Sequence, residues 1–225
     1  GRYSASAGRT DSNCTICGAG TFGTDAGQVS EDAGCTACVS GRFQDQEGKT
    51  SCSACPAGQH GVATESKNAQ STACTNCGTG KYSSAEGVGA ASGCNDCAPG
   101  RYSALSGRTD SSCTKCGVGK FGTDAGQVSE GAGCTDCDSG RFQDQEGMTS
   151  CVACPAGQHG VATGLKNAQS TACTNCTTGK YSSAEGVGGC NDCAPGRYST
   201  LTGQTNSSCT TCGAGKFGTS AGQVS

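Results

Sequence analysis

Apolar side chains along this chain form neither helical stripes nor alternating strand runs. They recur instead in one short cadence, C-x-x-C-x-x-G-x-[Phe/Tyr/His], repeated eleven times. The cysteine pairs begin at Cys14, Cys35, Cys52, Cys74, Cys94, Cys113, Cys134, Cys151, Cys173, Cys190 and Cys209, and no cysteine lies outside them. The rings are Phe22, Phe43, His60, Tyr82, Tyr102, Phe121, Phe142, His159, Tyr181, Tyr198 and Phe217; the only other one, Tyr3, follows Gly1 and Arg2 as Tyr102 follows Gly100 and Arg101. Segments just after each glycine, such as Arg101-Tyr102-Ser103 and Lys120-Phe121-Gly122, are short β candidates, and the Gly, Ser, Thr, Asn and Asp between them favour turns. The pattern predicts about eleven short hairpin or loop units, little regular secondary structure and no helix.

Repetition operates at a second level. Phe22 to Ser30 returns as Phe121 to Ser129, and Cys55 to Thr64 as Cys154 to Thr163, at an offset of 99 residues. Gly87-Val-Gly-Ala-Ala-Ser-Gly93 then shortens to Gly186-Val-Gly-Gly189, so Cys209 matches Cys113 at 96. This divides the chain into a partial unit (1–13), two five-unit super-repeats (14–112 and 113–208) and the start of a third (209–225). The segment reads as part of a longer array entered and left inside units. Units that touch only their neighbours make an elongated rod or solenoid.

Composition removes the ordinary alternative. With no Trp, one Ile, three Leu and 39 Gly in 225 residues, apolar burial cannot offset the ordering entropy. Twenty-two cysteines place the chain among disulfide scaffolds of oxidising compartments, so an extracellular, cell-surface or secreted location is expected. A net charge of −3 with dispersed Lys and Arg gives no stripe for nucleic acid, and no apolar run is long enough to span a membrane. The residues offer no Ser/His/Asp set, so no enzyme activity and no cofactor are expected.

C-x-x-C admits several chemistries. Cys14-Thr-Ile-Cys-Gly18 and Cys113-Thr-Lys-Cys-Gly117 have the form of a zinc knuckle, but only some units carry that glycine, and five knuckles per super-repeat is an odd number. A redox C-x-x-C needs a βαβ setting that is missing. Disulfides remain, as closed dyads of neighbouring pairs or as a ladder. Dyads would give identical sequence opposite partners in successive copies; the ladder gives every copy the same bonds. The ladder predicts Cys17–Cys35, Cys38–Cys52, Cys55–Cys74, Cys77–Cys94, Cys97–Cys113, Cys116–Cys134, Cys137–Cys151, Cys154–Cys173, Cys176–Cys190 and Cys193–Cys209, leaving Cys14 and Cys212 for segments beyond. Each bond would contribute about 3 kcal/mol through loop closure. The glycine is expected to take φ > 0 or to admit backbone against the disulfide, and the ring to pack over sulfur.

Cys55-Pro-Ala-Gly58 and Cys97-Ala-Pro-Gly-Arg-Tyr102, each followed by a Gly/Ser/Thr loop and another C-x-x-C, resemble the ephrin-receptor-like cysteine-rich repeats. Cys35-Thr-Ala-Cys-Val-Ser-Gly-Arg-Phe43 on to Cys55 is similar to tumour-necrosis-factor-receptor modules. The resemblance implies an extracellular disulfide-held rod, of the kind that also builds long surface and filament proteins of protists and algae. Duplicated loops point to a filament, surface hair or appendage whose partners are copies of itself, with a receptor or adhesin stalk as the alternative. Arg42, Lys81, Arg101 and Lys120 could pair with Asp45, Glu47, Asp144 and Glu146 between strands. Glycans on Ser, Thr or Asn are a further expectation, with N-x-[Ser/Thr] at Asn13, Asn175 and Asn206, the last least hindered.

Overall fold

The computed structural model describes residues 1–4, 14–63, 66–162 and 164–224. Each motif glycine from Gly20 to Gly196, and Gly1 before them, is followed by a two- or three-residue strand that pairs antiparallel with the residues at the next cysteine pair. Eleven separate two-stranded sheets result. The first super-repeat supplies Thr21–Phe22 with Thr36–Ala37, Arg42–Phe43 with Ser53–Ala54, Gln59–Gly61 with Cys74–Asn76, Lys81–Tyr82 with Asn95–Asp96, and Arg101–Tyr102 with Thr114–Lys115. The second repeats them from Lys120–Phe121 with Thr135–Asp136 through Arg197–Tyr198 with Thr210–Thr211. Arg2–Tyr3 with Thr15–Ile16 precedes both.

Hairpins this short are unstable alone, and sulfur takes the place of an aliphatic core. Among the described residues twenty hydrophobic side chains are buried, and seventeen of them are cysteines. The structure pairs twenty cysteines as the ten ladder bonds, with Cα–Cα distances of 5.5–5.9 Å. Cys14 and Cys212 are half-buried free thiols.

The expectation of no helix is corrected. One-turn helices α1 (Glu31–Gly34), α2 (Gln70–Ala73), α3 (Glu130–Gly133) and α4 (Gln169–Ala172) each run into the first cysteine of a pair, and a 3₁₀ turn covers Ala91–Gly93. They occur in the loops with the most residues to store before a cysteine. At α1 the Ser30 hydroxyl accepts the Ala33 N–H, as an N-cap does.

Two compact units form. One comprises Gly1–Ala98, Ser103–Cys113 and Gly126–Ser129; the other comprises Pro99–Tyr102, Thr114–Ala125 and Glu130–Ser225. In each, loops bond to the one or two hairpins that precede them. Hence loops 103–113 and 126–129 belong with the first unit.

Candidate functional site

The structure offers one site many times over, a joint between successive hairpins. At its centre stands the residue after the ring. Ser103 is typical: 1% exposed, it donates its N–H to Gln127 O at 2.9 Å, and its carbonyl accepts the N–H of motif glycine Gly80 at 2.8 Å. Ser83, Ser182 and Ser199 repeat these bonds with their own neighbours, as do Gln44 and Gln143. Each thus spends both backbone groups on adjacent hairpins, so that neither is left unpaired.

Side chains at this position hold the loop that follows. Ser83 Oγ donates to Ala85 O at 3.1 Å, and Ser103 Oγ donates to Leu105 O at 3.0 Å. Gln143, 2% exposed, donates through Nε2 to Ser150 O at 2.7 Å and accepts the Gln145 N–H on Oε1 at 2.9 Å; Gln44 does the same at Ser51 and Gln46. The two glutamines therefore fix identical acidic loops, Asp45-Gln46-Glu47 and Asp144-Gln145-Glu146. Elsewhere the position is glycine because the space is taken. A methyl on Gly23 or Gly122 would overlap the carbonyl of Gly34 or Gly133, the last residue of α1 or α3; on Gly61 or Gly160 it would overlap the backbone nitrogen of Gly41 or Gly140.

A second strap reaches one hairpin further. The carbonyl of Cys55 accepts the N–H of Gly87, that of Cys97 the N–H of Gly126, and that of Cys116 the N–H of Gly147, all at 2.8 Å. These loop glycines stand seven residues after a motif glycine, with φ near +70°, while the motif glycines themselves have φ of 74–89°. What presses on the motif glycine is backbone rather than disulfide: Gly80 faces the carbonyl of Gly126, and Gly100 that of Gly147.

The predicted rings divide. Phe43 packs against Cys55, Ala73 and Cys74, and Phe142 clusters with Cys154, Ala172 and Cys173. Phe22, Tyr82, Tyr102, Phe121, Tyr181 and Tyr198 are half-buried, and His60 and His159 lie with Nδ1 2.9 and 3.0 Å from the carbonyl of the following glycine. Phe217 is a correction. It is 87% exposed and lies in no strand.

Three of the cations expected to pair between strands have partners inside the chain. Lys81 meets Asp96 at 2.5 Å across its own hairpin, Lys120 meets Asp136 at 3.1 Å and Glu130 at 3.6 Å, and Arg42 donates to Cys52 O at 3.1 Å. Asp136, by accepting from Lys120, holds that ammonium above the usual lysine range against the opposing effect of desolvation. The Asp110 carboxyl lies below the usual range because the Ser112 hydroxyl and N–H, then Arg108, hydrogen-bond its charged form.

Of the sequon asparagines, Asn175 ends a strand and accepts from Gln158 Nε2 at 2.9 Å, while Asn206 is exposed in a loop. Asn13 lies outside the described residues. Among the described residues no His, Cys, Asp and Glu side chains gather in a group able to hold a metal, and no helix is long and apolar enough to cross a membrane.

Ten laddered disulfides, eleven hairpins and a joint repeated along the chain define an array of small cysteine-rich repeats. Segments 30–71 and 126–170 both match the family model described as tyrosine-protein kinase ephrin type A/B receptor-like. The two matched segments are similar to ephrin-receptor-like cysteine-rich repeats and contain the corresponding hairpins of the two super-repeats, Arg42–Phe43/Ser53–Ala54 and Arg141–Phe142/Val152–Ala153. A comparison with curated proteins finds no match. Receptor-like repeats and many disulfides together point to an extracellular or secreted location.

Proposed function

We propose that this chain is a structural segment of an extracellular filament, surface hair or appendage on the cell surface, in which each super-repeat offers the same surface to copies of itself. The supporting observation is duplication of loop surface as well as scaffold. Gln44 and Gln143 hold the same Asp-Gln-Glu sequence through the same hydrogen bonds. A scaffold needs only its cysteines and glycines to repeat. Periodic assembly needs the exposed residues to repeat as well. With Lys81, Lys120 and Arg42 engaged at home, the free acidic loops are the charged contacts such an assembly would use. On this reading the chain has no catalytic role.

A receptor or adhesin stalk is the second reading, favoured by the match to receptor-like repeats. Sedimentation and negative-stain microscopy of the oxidised chain over a range of concentration separate the two. The filament reading expects ordered lateral association that weakens when Asp45, Glu47, Asp144 and Glu146 become Asn and Gln. Dispersed monomers at high concentration would favour the stalk.

A further inference from the structure

The hairpin carrying Arg101 and the one carrying Arg197 occupy the same place in successive super-repeats, yet their loops differ in a paired way. In the first, Arg108 Nη2 donates to Asp110 Oδ1 at 3.2 Å and Ser112 N–H donates to the same oxygen at 2.9 Å. In the second, Gln204 Nε2 donates to Asn206 Oδ1 at 3.1 Å and Ser208 N–H donates to that oxygen at 3.0 Å. Both members of an ion pair have become neutral and the turn is unchanged. The exchange leaves Asn206-Ser207-Ser208, three exposed residues, with both observed bonds on Oδ1 and neither using Nδ2.

We infer that Asn206 is an N-glycan attachment site and that Asn175, though it has the same tripeptide form, is not. This rests on the extracellular placement. Asn175 lies on a paired strand, Gly203 from two hairpins further on sits against its side chain, and the middle residue of its tripeptide is Cys176, 0% exposed and bonded to Cys190. A sugar there would part the hairpins that the Gly203 N–H and Cys176 carbonyl hold together at 2.8 Å. Asn206 is exposed in a loop and lies on no paired strand. Its Nδ2 displaces the diphosphate from the anomeric carbon of a lipid-diphosphate-linked oligosaccharide. An N–C bond forms, the C–O bond to the diphosphate breaks, the amide nitrogen loses a proton and the lipid diphosphate departs. The glycan marks one super-repeat and not its predecessor, where Asp110 has no amide nitrogen to offer.

The test is site mapping on the full chain secreted from a eukaryotic host, treated with peptide N-glycosidase in heavy-oxygen water. A heavy-oxygen aspartate at 206 and unlabelled asparagine at 175 is the expected result. Asn206→Asp and Ser208→Ala each remove one glycan step in mobility, while Ser208→Thr keeps it. Ser208→Ala retains the backbone N–H to Asn206, so its loss of glycan is not a loss of fold. A secreted, fully oxidised chain with Asn206 bare, or with the sugar on Asn175, overturns the inference and leaves the extracellular reading standing. Native protein found in a reducing compartment without its disulfides overturns both.

Discussion

The hairpin Lys81–Tyr82/Asn95–Asp96 and its counterpart Lys180–Tyr181/Asn191–Asp192 differ by three residues, and the difference falls in one half of the loop. Separation between the bonded cysteines drops from 17 to 14, yet the Cα–Cα distance is 5.8 Å in both. Ser83 and Ser182 keep their backbone bonds, Gly87 and Gly186 still reach Cys55 and Cys154 at 2.8 Å, and Lys81 and Lys180 still pair with Asp96 and Asp192. Only the 3₁₀ turn Ala91–Gly93 has gone. The half of the loop nearest the motif glycine makes every contact of the joint. In these two hairpins the half nearest the next cysteine is slack; in others a one-turn helix occupies it and packs, as Ala73 of α2 does with Phe43. Insertions in such a segment cost little, because closure entropy grows only with the logarithm of length.

Removing the disulfides should break both copies equally. Cys77→Ser with Cys94→Ser, and separately Cys176→Ser with Cys190→Ser, should each cost about 3 kcal/mol of local stability, with only a few tenths between them. Hydrogen exchange resolved by hairpin reads this, since an array need not unfold in one step. A large excess in the longer loop would show that its 3₁₀ turn matters. Next come the glycines. Gly80→Ala and Gly179→Ala put a side chain at φ near +75° and onto the carbonyls of Gly126 and Gly222, a loss of about 1–3 kcal/mol. Gly189→Ala, in the slack half with open space around it, should be neutral.

Smaller effects separate loop from joint. Ser83→Ala and Ser182→Ala remove the bonds to Ala85 and Ala184, each worth about 1 kcal/mol, and should raise exchange at those turns in both copies. Deleting Ala90, Ala91 and Ser92 should change stability by under about 0.5 kcal/mol and leave the peptide linking Cys77 to Cys94 intact in a non-reducing digest. Rearranged disulfides would show that the slack half also sets pairing.

Spacing alone was enough to read the hairpins and propose the ladder, because C-x-x-C-x-x-G-x-ring leaves so few ways to repeat. The joint was harder to see. Ser83 or Gln143 look like ordinary turn residues until the N–H and carbonyl on either side are found bonded to different hairpins. The rings dominate the sequence pattern, whereas burial falls on their successors: Ser103 is 1% exposed and Tyr102 only half-buried. One signal lay in plain sight. A second glycine seven residues after the motif glycine, as at Gly48, Gly87, Gly107 and Gly126, marks the strap to the cysteine two hairpins back. The helices escaped because four residues between a glycine-rich loop and a cysteine hold no periodicity to detect; closure of the loop by the disulfide and the joint forms them, with propensity playing little part.

The smallest effect distinguishes the super-repeats by pH. Lys120 and Asp136 face each other across a hairpin whose earlier counterpart has Thr21 and Ala37. Asp136, with Glu130 beside it, raises the Lys120 pKa above its ordinary value of 10.5. A raised folded pKa means that the ammonium form is favoured by folding. Its contribution is therefore complete below the ordinary value and is lost as pH climbs through the folded one. Acidification toward neutrality should not alter it through Lys120. Titration of the Lys120 ε-methylene by NMR should show a midpoint above that of the Asp136→Asn variant. Lys120→Thr with Asp136→Ala, which rebuilds the earlier hairpin, should abolish the difference between the two hairpins' alkaline responses and leave the joint at Gly122 unchanged. If the rebuilt hairpin lost its bond from Gly122 to Met148, the charge pair would be part of the joint, and the division between an invariant joint and a variable surface would fail at this hairpin.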